Sequence, residues 1–85
     1  MDRFQEMRVL LAVTEAESFV GGAKRLGISP PSATRAVAAL EARLGTVLLA
    51  RNTRSLRLTE AGQRFVEDCR RILLELEEAE ELAAG

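Results

Sequence analysis

The segment Gly27-Ile28-Ser29-Pro30-Pro31 constrains the fold of this chain more than any other part of the sequence. Glycine supplies the left-handed residue on which helices commonly end, and serine is a favoured N-cap because its side chain binds the first free backbone amides. Proline is tolerated in the first turn, where backbone N–H groups have no partner inside the helix. The segment therefore predicts that one helix ends near Leu26 and that another begins directly after Ser29.

Capping signals mark the two helices before this turn. Asp2 with Gln5 three residues later is a capping-box pattern, and the apolar spacing behind it predicts a first helix from Asp2 to Ala16. Ser18 caps a short second helix, which the pair Gly21-Gly22 weakens by about 1 kcal/mol per glycine relative to alanine. The chain therefore begins with two helices joined by a tight corner.

The third helix is predicted to run from its serine cap to Leu44 and to stop at Gly45. Apolar residues recur along it in steps of four, three and four, which predicts a buried stripe. The stripe consists of Ala33, Val37, Leu40 and Leu44. Small or polar residues are left on or near the outer surface: Ser32, Thr34, Arg35, Ala38, Ala39 and Ala42.

The pattern changes between Val47 and Leu58, where two short apolar runs flank the polar, basic segment Asn52-Thr53-Arg54-Ser55. This predicts two short strands joined by a turn. Thr59 then caps a long last helix whose apolar residues alternate four and three apart, as in a coiled-coil seam. The predicted seam consists of Phe65, Cys69, Ile72, Leu76, Ala79 and Ala83. Three short helices cannot cover it, so we expect it to pair with the same helix of a second chain.

The order of these elements defines the expected fold class. Two helices joined by a short turn, with a basic hairpin after the second, form a winged helix-turn-helix. We therefore expect a mainly α fold with three helices and a two-stranded wing, followed by a long dimerisation helix. The corresponding domains are a winged helix-turn-helix domain over residues 1–59 and a linker or dimerisation helix over residues 60–85.

Charge is unevenly distributed, although the whole chain of 85 residues carries only -1. Residues 21–59 hold seven basic residues against Glu41 alone, a net charge of +6. Residues 60–85 hold eight acids against three arginines, a net charge of -5. A local excess of this size can attract a nucleic acid even when the overall charge is negative.

Several classes of protein do not fit the sequence. There is no histidine, no metal-spaced cysteine cluster and no phosphate-binding glycine loop, so we expect no enzyme activity, no metal and no cofactor. The longest apolar run, from Val9 to Val13, is far shorter than the roughly 18 residues of a membrane helix, and we expect neither a membrane span nor a signal peptide. The lone Cys69 cannot form an internal disulfide, which suits a reducing cytoplasm.

A physical argument connects these elements to duplex DNA. The third helix can enter a major groove because its leading side chains are short, while Arg54 at the tip of a thin hairpin can reach the minor groove. Two alternatives remain open at this level: a plain helical bundle with a solvated turn, and a protein-interaction module that uses the acidic last helix. Salt-dependent binding to DNA separates them from a DNA-binding domain.

Two stretches of the sequence carry a resemblance to a known family. The first is Ser18-Phe19, followed by Ala23-x-x-Leu26-Gly27-Ile28-Ser29-Pro30-Pro31-Ser32-Ala33-Thr34-Arg35-Ala36-Val37-x-x-Leu40-Glu41-x-x-Leu44-Gly45. The second is Leu48-Leu49-x-Arg51-x-x-Arg54-x-Leu56-x-Leu58-Thr59-Glu60-Ala61-Gly62. Together they resemble the N-terminal DNA-binding domain of LysR-type transcriptional regulators, and the likeness extends over nearly the whole chain.

The resemblance implies a cytoplasmic homodimer, joined through the linker helices, that binds an interrupted palindrome with one recognition helix in each half-site. It also implies which residues contact DNA. Pro31, Thr34 and Arg35 would lie at the groove, with Ser29 and Ser32 near it. Arg51 and Arg54 would lie along the wing and the DNA backbone.

The chain departs from the family pattern at three positions. Pro30 stands where the family often has glutamine, so an amide that could pair with adenine is missing. Val20 and Gly21 replace residues that are commonly polar or basic, which removes a phosphate contact. These departures affect the target sequence rather than the fold. The family also carries an effector-binding domain after the linker helix, so a small-molecule effector would act only through a part that is absent here.

Overall fold

The computed structural model describes residues 1–52 and 55–85, which form four helices and a two-stranded hairpin. In chain order the elements are α1 (Arg3–Ala16), α2 (Phe19–Leu26), α3 (Pro30–Leu44), β1 (Leu49–Arg51), β2 (Leu56–Leu58) and α4 (Glu60–Ala84). The order is the one that the sequence predicts.

The corner between α1 and α2 is built from local hydrogen bonds. At the start of α1, the Asp2 carboxylate accepts from the Gln5 backbone N–H at 2.8 Å, and the Gln5 side chain accepts from the Asp2 N–H at 2.9 Å. The helix ends at Glu17, which has a left-handed φ of 54°. Ser18 follows at once, and its hydroxyl accepts from the Gly21 N–H at 3.0 Å to cap α2. The chain thus reverses direction within two residues.

Gly22 allows α2 to cross close to α1. A β-carbon at this position would lie 2.6 Å from the backbone nitrogen and Cα of Val13, closer than real contacts allow. The glycine therefore weakens the helix locally but permits the close crossing that the helix pair requires.

The inner face of α3 contributes Ala33, Val37 and Leu40 to the core, as predicted. The prediction is wrong at Leu44, which is 43% exposed. The last turn of α3 reaches the edge of the core, where Leu44 borders an open cleft between α1 and α4. Ala36 is buried instead, at 5% exposure.

The hairpin is fixed to α4 by a close backbone contact. The strands β1 and β2 are antiparallel, with Leu49 opposite Leu58 and Arg51 opposite Leu56. A β-carbon on Gly62 would lie 2.1 Å from the carbonyl oxygen of Leu48, so only glycine fits at this crossing. The Thr59 hydroxyl caps α4 by accepting from the Gly62 N–H at 3.0 Å.

The first half of α4 packs against the rest of the chain through Val66, Cys69 and Leu73. This corrects the predicted intermolecular seam at Cys69, which has no exposed surface and packs with Met7 and Leu73 inside the chain's own core. The other seam residues differ in exposure. Phe65 and Leu76 are partly buried, Ile72 is 37% exposed, and Ala79 and Ala83 are exposed.

Candidate nucleic-acid interface

The first turn of α3 is organised by a short chain of hydrogen bonds. The Ser29 hydroxyl accepts from the Ser32 N–H at 3.2 Å and donates to the Ser32 hydroxyl oxygen at 2.8 Å. Arg35 Nη2 also donates to the Ser32 hydroxyl oxygen, at 3.3 Å. Pro31 is exposed beside them, and Thr34 is partly buried. Of the five contact residues predicted at the start of α3, the structure therefore joins three by hydrogen bonds and places the other two on the same turn or the next.

The outer surface of α3 is smooth. Beyond Arg35, the exposed residues Ala38, Ala39 and Ala42 present only methyl groups. A helix with such a face can approach a groove closely, and its methyl groups can contact the methyl group of thymine. This surface suits a helix that lies in a major groove.

Ion pairs neutralise some of the basic residues of the segment 21–59 and leave others uncompensated. Arg25 pairs with Glu15 at 3.5 Å, and Arg43 pairs with Glu6. The pair with Glu6 joins the last turn of α3 to α1. Within residues 1–52 and 55–85, four basic residues of this segment form no ion pair. They are Lys24, Arg35, Arg51 and Arg57.

Arg51 ends strand β1, and its guanidinium carbon lies 4.7 Å from the centre of the Phe19 ring at the start of α2. It belongs to a different element from Arg35, which lies on α3. Arg54, the other arginine predicted at the wing, lies outside the described residues. The described residues that flank this part of the chain are joined by a hydrogen bond, in which the Asn52 N–H donates to the Ser55 carbonyl oxygen at 3.1 Å.

Glu41 connects α3 to the hairpin. Its Oε2 accepts from the backbone N–H groups of Leu48 and Leu49, at 2.7 and 3.1 Å. Glu41 thus binds backbone amides rather than one of the basic side chains around it in the sequence. Its isolation as the only acid in a basic segment was a signal that this carboxylate has a specific partner. The contact fixes the position of β1 relative to α3.

The described part of the chain contains no helix that is both long enough and apolar enough to cross a bilayer.

Comparison with family models gives a match over residues 4–63 to the bacterial regulatory helix-turn-helix proteins of the lysR family. Over 70 residues, 82% of this chain, the sequence is 50% identical to the HTH-type transcriptional regulator TcbR of Pseudomonas sp. strain P51. Over 81 residues, 95% of the chain, it is 41% identical to the HTH-type transcriptional activator AaeR of Escherichia coli strain K12. The chain spans only 24% and 26% of the lengths of these two relatives.

Solved structures match the fold over almost its full length. The crystal structure of the CbnR DNA-binding domain in complex with DNA superimposes with a TM-score of 0.92 at 43% identity, covering 99% of this chain and 95% of that one. The BenM DNA-binding domain in complex with the catB site 1 DNA gives a TM-score of 0.93 at 28% identity, covering 99% and 89%. These matches confirm the predicted fold class, a mainly helical winged helix-turn-helix.

Proposed function

The chain belongs to the lysR family of bacterial regulatory helix-turn-helix proteins, and from that membership we propose that it binds double-stranded DNA sequence-specifically, as the DNA-binding part of a LysR-type transcriptional regulator. The observation that carries the proposal is the leading turn of α3, which is capped by Ser29 and presents an exposed Arg35 that forms no ion pair with any residue the structure describes. Its role is recognition in the bacterial cytoplasm rather than catalysis. The relatives are transcriptional regulators, and the two solved structures compared above are DNA complexes.

In the proposed mode of binding, α3 enters the major groove with its first turn towards the bases. Arg35 pairs with a guanine or a phosphate there, and Arg51 contacts the backbone from the hairpin. The proposed DNA-contacting residues are Ser29, Pro31, Ser32, Thr34, Arg35, Arg51 and Arg54.

A second copy of the chain supplies the second half-site. We propose that the two copies pair through the α4 residues that the chain's own core leaves accessible: Phe65, Ile72, Leu76, Ala79 and Ala83. The basic residues of α4 lie in its first half and most of its acids in the second. An antiparallel pair brings these opposite charges together.

Pairing of this kind would set the spacing of the two recognition helices on DNA. They then lie about 34 to 36 Å apart, or a multiple of that distance, which suits an interrupted palindrome. The domains follow as residues 1–59 for recognition and 60–85 for pairing, and a small-molecule effector acts through the further length that the relatives have.

Selection of bound sites from a random duplex library tests the DNA-binding proposal, with the enriched sites then used to compare variants. Arg35→Ala should weaken a selected site by about 1 to 3 kcal/mol if Arg35 contacts a base, or lower the salt slope by about 1 if it contacts a phosphate. Arg64→Ala is the matched control, because it removes the same charge from α4, where Glu60 pairs with Arg64 at 2.9 Å. A library that yields no enriched sequence contradicts sequence-specific binding.

Sedimentation tests the pairing of α4. Leu76→Asp should leave the chain monomeric, because it buries a carboxylate in the apolar seam. Leu74→Asp is the control: Leu74 is 57% exposed and lies about half a helical turn away from the seam. If Leu74→Asp dissociates the dimer and Leu76→Asp does not, the seam has been placed on the wrong face.

A further inference from the structure

We propose that Phe19 is a positioning residue for DNA binding, which acts by holding the Arg51 guanidinium over its ring so that this charge faces a DNA phosphate before the duplex arrives. The inference rests on the proposed function and adds to it a residue that makes no contact with DNA itself. Four observations carry it: the direction of Arg51 on its strand, its distance from the ring, its lack of a carboxylate partner, and the anchoring of Phe19.

Strand geometry explains why Arg51 turns towards α2. Side chains alternate between the two faces of a strand, so Arg51 leaves β1 on the same side as Leu49, two residues earlier. Leu49 is buried in the core, at 6% exposure. The Arg51 side chain therefore starts in the direction of the core and emerges at its rim, where Phe19 begins α2.

The separation of 4.7 Å between the guanidinium carbon and the ring centre is within the range of a cation–π contact. Such a contact holds a cation without neutralising it. In the described residues, no aspartate or glutamate pairs with Arg51, so its charge is uncompensated. Arg25 and Arg43, which pair with Glu15 and Glu6, are different in this respect.

Phe19 is itself well anchored. It is partly buried and packs against the main core cluster, and the preceding residue, Ser18, caps α2. A ring fixed in this way restricts the rotamers of the arginine that lies on it. An arginine loses considerable side-chain entropy on being immobilised, and a contact that immobilises it in the free protein removes part of that cost from DNA binding.

A double-mutant cycle between Phe19 and Arg51 tests the inference, with duplex affinity measured by fluorescence anisotropy on a site enriched from the random library. Phe19→Leu should weaken binding about two- to fivefold, the strength of an exposed cation–π contact, when Arg51 is present. In the Arg51→Ala background it should have no further effect. Phe19→Tyr retains a ring and should retain the coupling to Arg51.

Phe4→Leu is the matched control, since it also removes a phenyl ring, from α1, and its effect should be additive with Arg51→Ala. A purely structural role for Phe19 predicts the same loss of affinity with and without Arg51, and that result overturns the inference. Urea unfolding gives the midpoint concentration of each variant. Binding is then measured well below that urea concentration, so that only folded protein is compared.

Proton NMR of the free protein provides a readout that does not depend on DNA. Ring currents should shift the Arg51 side-chain protons upfield in the wild type, and Phe19→Leu should abolish the shift. Unshifted Arg51 resonances in the wild type contradict the inference even if DNA binds. If the shift is present but the wild type binds no duplex, the proposed function fails, and the positioning role for DNA fails with it.

Discussion

The buried carboxylate of Glu6 depends on Arg43 for its compensation. Glu6 is 6% exposed, whereas the Arg43 side chain is 40% exposed, so the pair lies at the boundary between the core and water. Arg43→Ala should lower the free energy of unfolding by about 1 to 2 kcal/mol, because it leaves a desolvated charge without its partner. The expected loss is below that of a fully buried pair, since water reaches the arginine.

Urea unfolding measures this loss, and two further variants define its cause. Adding Glu6→Leu to Arg43→Ala should restore much of the stability, because the orphaned carboxylate is then absent. Arg71→Ala is the exposed counterpart: Arg71 pairs with Asp68 at 2.9 Å, and both side chains are more than half exposed. A loss for Arg71→Ala as large as that for Arg43→Ala contradicts the role given to burial.

Cys69 should react slowly with alkylating reagents. Burial, with a smaller contribution from the charge of Asp68, raises the pKa of the Cys69 thiol to about 11. The thiolate is the reactive form, so iodoacetamide at pH 8 should modify the folded protein far more slowly than the protein in urea.

The raised pKa of Cys69 also makes the free energy of unfolding depend on pH. The folded state keeps a proton that the unfolded state loses between pH 9 and 11, so the free energy of unfolding should fall as the pH rises through that window.

Mass spectrometry of timed samples gives the two alkylation rates. Equal rates for the folded and the unfolded protein contradict the burial of Cys69 in the monomer. The predicted intermolecular seam included this residue because its heptad spacing alone does not distinguish a core within one chain from a core between two chains.

At the scale of elements, the crossing of the hairpin and α4 should be intolerant of any side chain. Gly62→Ala places a β-carbon where the Leu48 carbonyl oxygen stands, and neither backbone can move freely. We expect a loss of at least about 2 kcal/mol in unfolding free energy, as for an overpacked core. Gln63→Ala, on the exposed neighbouring position, is the control and should change the stability by less than about 0.5 kcal/mol.

Thermal or urea unfolding followed by circular dichroism measures both variants. A Gly62→Ala protein as stable as the wild type shows that the hairpin can move away from α4. That result also contradicts the rigid connection between these two elements.

Helix ends were predictable because capping is local chemistry. Ser18 and Ser29 form the bonds that their positions in the sequence predict, each to a backbone amide three residues ahead. Positions that depend on another element were less predictable. The exposure of Leu44 and the ion pair of Arg43 depend on where α1 lies, which no local pattern contains. Among the predicted contact residues, the structure defines the hydrogen bonds that join Ser29, Ser32 and Arg35.

At the scale of the whole molecule, stability should depend on protein concentration. Under the proposed pairing, the native state is a dimer and the unfolded state is not, so mass action favours folding at higher concentration. The midpoint of thermal unfolding should therefore rise over a hundredfold range of concentration, and differential scanning calorimetry measures it. Leu76→Asp should show no such rise. A wild-type midpoint that is independent of concentration contradicts a folded dimer in this range.

Glu41 joins α3 to β1, and under the proposed function this contact also affects the DNA duplex. Because the carboxylate accepts from two consecutive amides at the start of the hairpin, any change in the spacing of helix and hairpin breaks these bonds. Under the proposed function we therefore expect the duplex to bend or narrow a groove to meet both elements, at an energy that depends on the stiffness of its base stacking. Easily kinked steps such as TA and CA/TG, placed between the two footprints, should raise affinity at base pairs that no side chain touches.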